Sequence, residues 1–234
     1  MTSAALEILH LDNHLFVVNK PAGMLVQEDE TGDPDVLRIG KRLLKERFGR
    51  PGNVYLGLVH RLDRPASGVV VLARTSKAAA RLSDQFRRRT PQKDYLAVVE
   101  GACTGAGIRR DVVATDAGGR VRVVEDGDKA GKPAELQWRS AASHEGLSLL
   151  SIRLKTGRKH QIRIQLSVMG HPILGDFRYG AARELDGHNL ALHAYRLSLV
   201  HPTKKEWMTF SALPPPSWRG FFDREVEELV RSVS

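Results

Sequence analysis

The chain has 234 residues, 41% hydrophobic and 27% charged, with a formal net charge of +9 and a pI of about 9.9. This is ordinary folded-protein composition, long enough to bury a core without disulfide or metal staples, and long charge blocks, low-complexity tracts and repeats are absent from the sequence. The single Cys103 cannot form an internal disulfide, which fits a reducing cytosol.

The cationic excess favours a polyanionic partner, and nucleic acid is the commonest polyanion in a cytosol. Residues 1–7 lack the basic-then-apolar order of a secretory leader, and no apolar run approaches the roughly 20 residues of a membrane span. The expectation is a cytoplasmic protein with no membrane partner.

In chain order, residues 14–19 form a short strand closed by Lys20-Pro21-Ala22-Gly23, a turn signal, and residues 24–26 resume extended chain. Residues 29–35 are polar and read as an exposed loop. From Asp35, Val36, Leu37, Leu43, Leu44 and Phe48 recur at helical spacing, and Gly49 ends the helix. Residues 55–59 and 68–73 are aliphatic runs that read as two buried strands. Between them lie His60-Arg61-Leu62-Asp63-Arg64 and a Pro-Ala-Ser-Gly turn, so that a carboxylate flanked by two cations sits on a short loop between stiff elements.

Ser76 is placed to cap a helix with Ala79, Leu82 and Phe86 on one face, closed by Arg87, Arg88 and Arg89, cations that suit a helix C-terminus. Residues 93–100 form a strand, the glycine-rich 101–107 a turn or hairpin end, and 109–114, 120–124, 135–140 and 147–154 a run of antiparallel strands. Residues 158–169 fit both strand alternation and helix spacing; their length and the bracketing Gly157 and Gly170 favour a helix. A loop at 171–176, strands at 190–200 and 207–212, the Pro214–Pro216 break and a helix over 218–230 complete the chain. Strands outnumber helices and mostly follow one another, giving an α+β class: a largely antiparallel mixed sheet with flanking helices, in one domain over residues 1–234.

Several chemistries are disfavoured. The nine histidines and one cysteine show no metal-ligand spacing. Residues 127–133 are one residue short of a phosphate loop, with Pro133 where a hydroxyl is needed. A nucleophile elbow and a dinucleotide fingerprint are missing too.

Four stretches carry more together than each alone: Asn19-Lys20-Pro21-Ala22-Gly23; His60-Arg61-Leu62-Asp63; Lys93-Asp94-Tyr95-Leu96-Ala97-Val98-Val99-Glu100-Gly101; and Thr156-Gly157-Arg158-Lys159-His160-Gln161-Ile162-Arg163. The last continues into Gly170-His171-Pro172-Ile173-Leu174-Gly175-Asp176, and Leu190-Ala191-Leu192-His193-Ala194 with Val200-His201-Pro202 follows. In this order and spacing the chain resembles the RluA-type pseudouridine synthases over residues 8–218. The resemblance implies the pseudouridine synthase catalytic fold, isomerisation of uridine in tRNA or rRNA, RNA as the partner, no cofactor and no metal.

By that resemblance Asp63 is the catalytic carboxylate, Tyr95 stacks on the target uracil and helps remove the C5 proton, and Arg163 pairs with the aspartate. Arg61 enters the RNA where the uridine has left. His60, Arg64, Arg158, Lys159, Arg87 and Arg88 are further candidates for RNA contact, with Lys77, Arg81 and Arg89 continuing a basic track, and Ile173 and Leu174 form an apolar wall under the flipped base. A carboxylate can add to the ribose or the base, or remove a ribose proton, and later leave; the sequence leaves these routes open. The motifs begin within twenty residues of Met1, so the expectation is a catalytic domain without the small N-terminal RNA-binding domain of many relatives; the protein is also expected to be a monomer. Residues 24–29 lack the His-Pro often found after the first motif, so the family's RNA contacts there are not carried over to this chain. The rival readings are a non-catalytic RNA-binding or RNA-folding protein on the same scaffold and a carboxylate glycosidase, which needs a second acid.

Overall fold

The computed structural model describes residues 6–49 and 52–232, so most of the stretch read for a leader lies outside it. In chain order the elements are β1 (Glu7–Leu11), β2 (Leu15–Lys20), α1 (Val36–Phe48), β3 (Gly57–Leu58), β4 (Ser67–Ala73), α2 (Ser76–Arg88), β5 (Gln92–Glu100), β6 (Ala106–Thr115), β7 (Val121–Val124), β8 (Lys132–His144), β9 (Leu147–Leu154), α3 (Gln161–Val168), β10 (Leu192–Val200), β11 (Trp207–Ser211) and α4 (Asp223–Arg231). They form an α+β structure whose strand pairs are mostly antiparallel, grouped into two compact units.

The first unit holds the described residues up to Pro91 together with Tyr195–Pro215. Its strand order is β1-β2-β4-β10, with β11 beside β10 and β3 beside β4. Because side chains alternate across a strand, β2 and β4 feed two cores. Leu15, Val17, Val69, Val71 and Ala73 face Ala78 and Leu82 of α2, whereas Phe16, Val18, Val70 and Leu72 face Val36 and Leu44 of α1. Burial on both faces explains why these strands read as unbroken apolar runs.

The strand expected over residues 55–59 shrinks to Gly57–Leu58, and Tyr55 is half exposed. With β2 holding one edge of β4 along residues 68–73, β3 shares the other edge with β10 and pairs only Leu72 and Ala73. The cap of α2 is Thr75, not Ser76: its extended backbone (φ −141°, ψ 152°) lets the hydroxyl accept from the Ala78 N–H at 3.1 Å, leaving Ser76 as the first helical residue. At its far end Arg89 takes the left-handed conformation (φ 59°) and closes the helix. The sequence reading missed β1, whose Ile8 and His10 sit opposite Val18 and Val17 across a bulge.

The second unit comprises Gln92–Ala194 and the described residues from Pro216 on. Its antiparallel order, β5-β9-β8-β6-β7, places two strands between β5 and β6, so residues 101–105 form a crossover turn, not a hairpin end, and 106–107 already belong to β6. The last helix starts at Asp223, not 218, because Phe222 is left-handed (φ 57°) and a 3-10 turn occupies Pro216–Trp218. Over residues 161–166 every α3 residue is buried, including Gln161, Arg163 and Gln165. A helix buried all round has no amphipathic stripe, hence its ambiguous pattern in sequence. Among the described residues no helix is long and apolar enough to cross a membrane.

Candidate active site

In the first unit, the motifs around Lys20 and Asp63 meet. The end of β2 is in register with the start of β4, Lys20 opposite Gly68, so the two loops leave the sheet side by side. Lys20 is fully buried, and its ammonium donates to the carbonyls of Pro21 (2.9 Å), Met24 (2.8 Å) and Arg64 (3.1 Å). Those three acceptors match an ammonium's three hydrogens. The Gly23 N–H donates to the Arg64 carbonyl at 2.9 Å, and Arg64 Nε returns a bond to the Gly23 carbonyl at 3.1 Å. A turn closes over the acid, with the Ala66 N–H donating to the Asp63 carbonyl at 3.1 Å, and Leu62 packs on the α1-side core. Burial pulls the Lys20 ammonium down to about 7, while the charge of Asp63 works in the opposite direction.

The neighbours of Asp63 divide by role. His60 serves the scaffold: its Nε2 accepts from the Val71 N–H at 3.0 Å, continuing the β4 edge where β3 has ended, and its ring stacks on Phe86 of α2 at 4.7 Å. Arg64, besides its bond to Gly23, is ion-paired with Asp33. Arg61 is exposed. At the C-terminal end of α2, Arg87 and Arg88 both reach Asp84 yet remain largely exposed, and Arg81 donates to the Pro202 carbonyl at 2.8 Å.

In the second unit, Tyr95 sits on β5 opposite Ile152 and is 8% exposed. The adjacent Asp94 takes both nitrogens of Arg153 at 2.6 and 3.1 Å across the strand pair. The far end of β5 holds the 171–183 loop. Leu174 N–H donates to Val98, Glu100 N–H to Pro172, and the Glu100 carboxylate accepts the N–H groups of Ala182 and Arg183 at 2.7–3.1 Å. Ile173 and Leu174 are fully buried, with Ile173 bridged to Val99. Arg158 Nε reaches the Pro133 carbonyl and Lys159 the Gly119 carbonyl, both at 3.0 Å.

Arg163 is 6% exposed on α3, with Nε and Nη2 donating to the two oxygens of buried Asp176 at 2.7 and 2.8 Å. Neither Lys20 nor Asp176 stands out as a site residue from sequence. Each lies inside a recognised motif, but only the fold shows what it holds. Among the described residues no group of three or more His, Cys, Asp or Glu is arranged to hold a metal ion.

A family model described as RNA pseudouridylate synthase matches residues 14–168, a stretch that includes Lys20, Asp63, Tyr95 and Arg163. The chain belongs to the RNA pseudouridylate synthase family. Similar proteins include tRNA pseudouridine synthase C of Vibrio parahaemolyticus, 31% identical over 99% of this chain and 100% of its own length. Ribosomal large subunit pseudouridine synthase D of Zymomonas mobilis is 34% identical over 93% of this chain and 72% of its own length. With tRNA pseudouridine synthase C of Pectobacterium carotovorum the identity is 35% over 92% of this chain, and the chain spans 61% of that protein. Among solved structures, human RNA pseudouridylate synthase domain containing 4 superposes with a TM-score of 0.75 at 26% identity, over 95% of this chain and 92% of that one. The pseudouridylate synthase motifs thus form two local constellations, one around Lys20 and the Asp63 loop, the other around β5, α3 and the 171–183 loop.

Proposed function

We propose that this RNA pseudouridylate synthase converts uridine in tRNA or ribosomal RNA to pseudouridine, with Asp63 as its catalytic carboxylate. The observation that carries the assignment is the mounting of the acid: the loop bearing Asp63 is held through Arg64 by a fully buried lysine. Such a mount keeps a reacting group in place while its partner moves. The reaction breaks the bond from C1′ to N1, turns the uracil, and joins C1′ to C5; C5 gives up a proton and N1 gains one, so atoms and electrons balance within the substrate. The carboxylate can serve by adding and leaving or by taking and returning a proton. A uridine stacked in folded RNA must swing out to reach it.

Tyr95 and Arg163 take the roles that the family pattern gives them, a ring for the uracil and a cationic partner for the acid. Arg61, exposed beside Asp63, suits the space vacated by the base, because a planar guanidinium stacks where a point charge cannot. The same reading has the protein acting as a cytoplasmic monomer. The choice of RNA as substrate rests on the motifs, on relatives named for both tRNA and ribosomal RNA, and on the net charge of +9.

The experiment is tritium release from transcripts labelled at uridine C5, using tRNA and ribosomal RNA in parallel. Wild-type protein releases tritium from one of them; Asp63→Asn binds that RNA with unchanged affinity and releases none. Release by Asp63→Asn at the wild-type rate sinks the assignment, and no release by wild-type protein from either class sinks the choice of substrate.

A further inference from the structure

We infer that Asp176 is the positioning residue for Arg163, the acid that fixes which edge of this buried guanidinium is offered to the reaction. The inference rests on the proposed role of Arg163 as the cation serving the catalytic carboxylate, and it deepens that role. A guanidinium has two edges able to grip a carboxylate side-on, Nε with one hydrogen of Nη2, and Nη1 with the other. Asp176 takes the first, its two oxygens lying 2.7 and 2.8 Å from Nε and Nη2. Asp176 thereby sets the plane in which the second edge lies.

The surroundings show that this is a built mount. Arg163 and Asp176 are 6% and 2% exposed, so water does not screen the pair. The guanidinium carbon lies 5.0 Å from the centre of the Tyr179 ring, which backs it as a cation–π partner. Tyr179 is itself fixed: its hydroxyl accepts from the Val121 N–H at 3.2 Å and meets His160 Nδ1 at 2.8 Å, while its carbonyl accepts from Ser167 on α3 at 2.6 Å. The Asp176 carbonyl in turn takes the N–H groups of Tyr179 and Ala181 at 3.0 and 3.1 Å. Acid and ring therefore stand on one short turn tied back to the helix that carries Arg163.

The test is a double-mutant cycle read by single-turnover tritium release, with affinity for RNA measured on each variant. Asp176→Asn is expected to lower the rate of the bound complex about 10- to 100-fold, with RNA affinity within about twofold, because a 1 Å misplacement costs on that order. In an Arg163→Lys background, where no fork remains to be oriented, the same Asp176→Asn change is expected to lower the rate less than about threefold. An equal loss in both backgrounds, or none in the wild-type background, overturns the inference. Should Asp176→Asn fail to fold, the wild-type protein still decides: the Arg163 Nε–H is expected to give a separate, slowly exchanging nitrogen–proton resonance, and exchange at the rate of an exposed guanidinium overturns the inference. An active Asp63→Asn control marks failure of the catalytic assignment itself, whereas an inactive one beside a fully active Asp176→Asn marks failure of this inference alone.

Discussion

The ammonium of Lys20 lies 3.1 Å from the carbonyl of Arg64, the residue that follows Asp63. Through that bond and two others a fully buried cation ties the turn after β2 to the loop before β4. Replacing Lys20 by Met keeps the aliphatic stem and leaves three carbonyls without their donor. Each unmet buried acceptor costs about 1–3 kcal/mol, partly offset because a charge no longer has to be buried. The expected loss is about 3 kcal/mol, or roughly 6–12 °C in Tm. The rate of tritium release should fall with RNA affinity unchanged, and a Lys20→Met variant as active as wild type would show that the clamp does not hold the acid.

The same lysine sets a pH dependence. Burial draws its folded value down to about 7, against about 10.4 in an unfolded chain. The folded state thus releases the proton first, and between those values the unfolded state binds more protons. Stability contributed at this site therefore rises as pH climbs from about 7 to about 10. The three carbonyls oppose that release, since an amine has only two hydrogens to give them. Denaturant unfolding of wild type and Lys20→Met across this window should show the gap between the two widening with pH; a gap that stays constant means that the lysine does not titrate there.

Arg61 and Arg64 flank the same acid, and the structure predicts different losses for them. Arg61 is exposed, so Arg61→Ala should leave Tm unchanged, weaken RNA binding, and flatten the slope of log affinity against log salt by up to about one. Arg64 is held by Gly23 and Asp33, so Arg64→Ala should lower stability by about 1 kcal/mol and slow the reaction more than it weakens binding. Identical behaviour of the two variants in salt titrations and melts would contradict this division.

Acid sensitivity should centre on Asp12. Burial raises this carboxyl, but His10, the N–H groups of His14 and Leu15, and His201 outweigh it and hold it well below the usual carboxylate range. His201 is completely buried, and its Nδ1 accepts from Thr203 and Lys204 N–H at 3.2 and 2.9 Å. Its Nε2 therefore carries the hydrogen that Asp12 accepts at 3.0 Å. A carboxylate lowered on folding contributes stability above its unfolded value of about 3.9, and that contribution disappears as pH falls through the folded one. Asp12→Asn should be less stable than wild type at pH 7 by about 1–3 kcal/mol, with the difference shrinking below about pH 4. Parallel acid-unfolding curves for the two proteins would rule this out.

The sequence made the first unit legible because its signals are local. The unbroken apolar runs of β2 and β4, the helical spacing and Gly49 stop of α1, and the three arginines ending α2 each act within a few residues. The family pattern picked out Asp63, Tyr95 and Arg163 through their motifs. Long-range competition was not legible. The shortness of β3 depends on β10 sharing its edge of β4, and the partner of Arg163 lies 13 residues further on, on a turn beyond α3. Nor could periodicity read α3 cleanly, since its glutamines and arginine are buried beside its aliphatics, with Gln165 bonded to Asp111 at 2.8 Å and Gln161 to Thr156 at 2.8 Å.

Gly175 offers the sharpest test of the loop that carries Asp176. Its backbone is left-handed (φ 84°), and a Cβ built there would lie 2.3 Å from the carbonyl oxygen of Asn189, a backbone atom with no rotamer to escape through. Gly180, on the same loop, is also left-handed (φ 96°), but a Cβ there meets nothing within 4 Å. Alanine at 180 therefore carries only the conformational penalty, about 1 kcal/mol. Alanine at 175 adds a clash that must push the 189 segment away or drag Asp176 off the Arg163 guanidinium, and should cost about 3 kcal/mol or more. Thermal melts should rank wild type above Gly180→Ala and Gly180→Ala well above Gly175→Ala, with tritium release impaired in the last alone. Equal melting of the two variants would mean that the segment around Asn189 yields freely and does not fix the loop bearing Asp176.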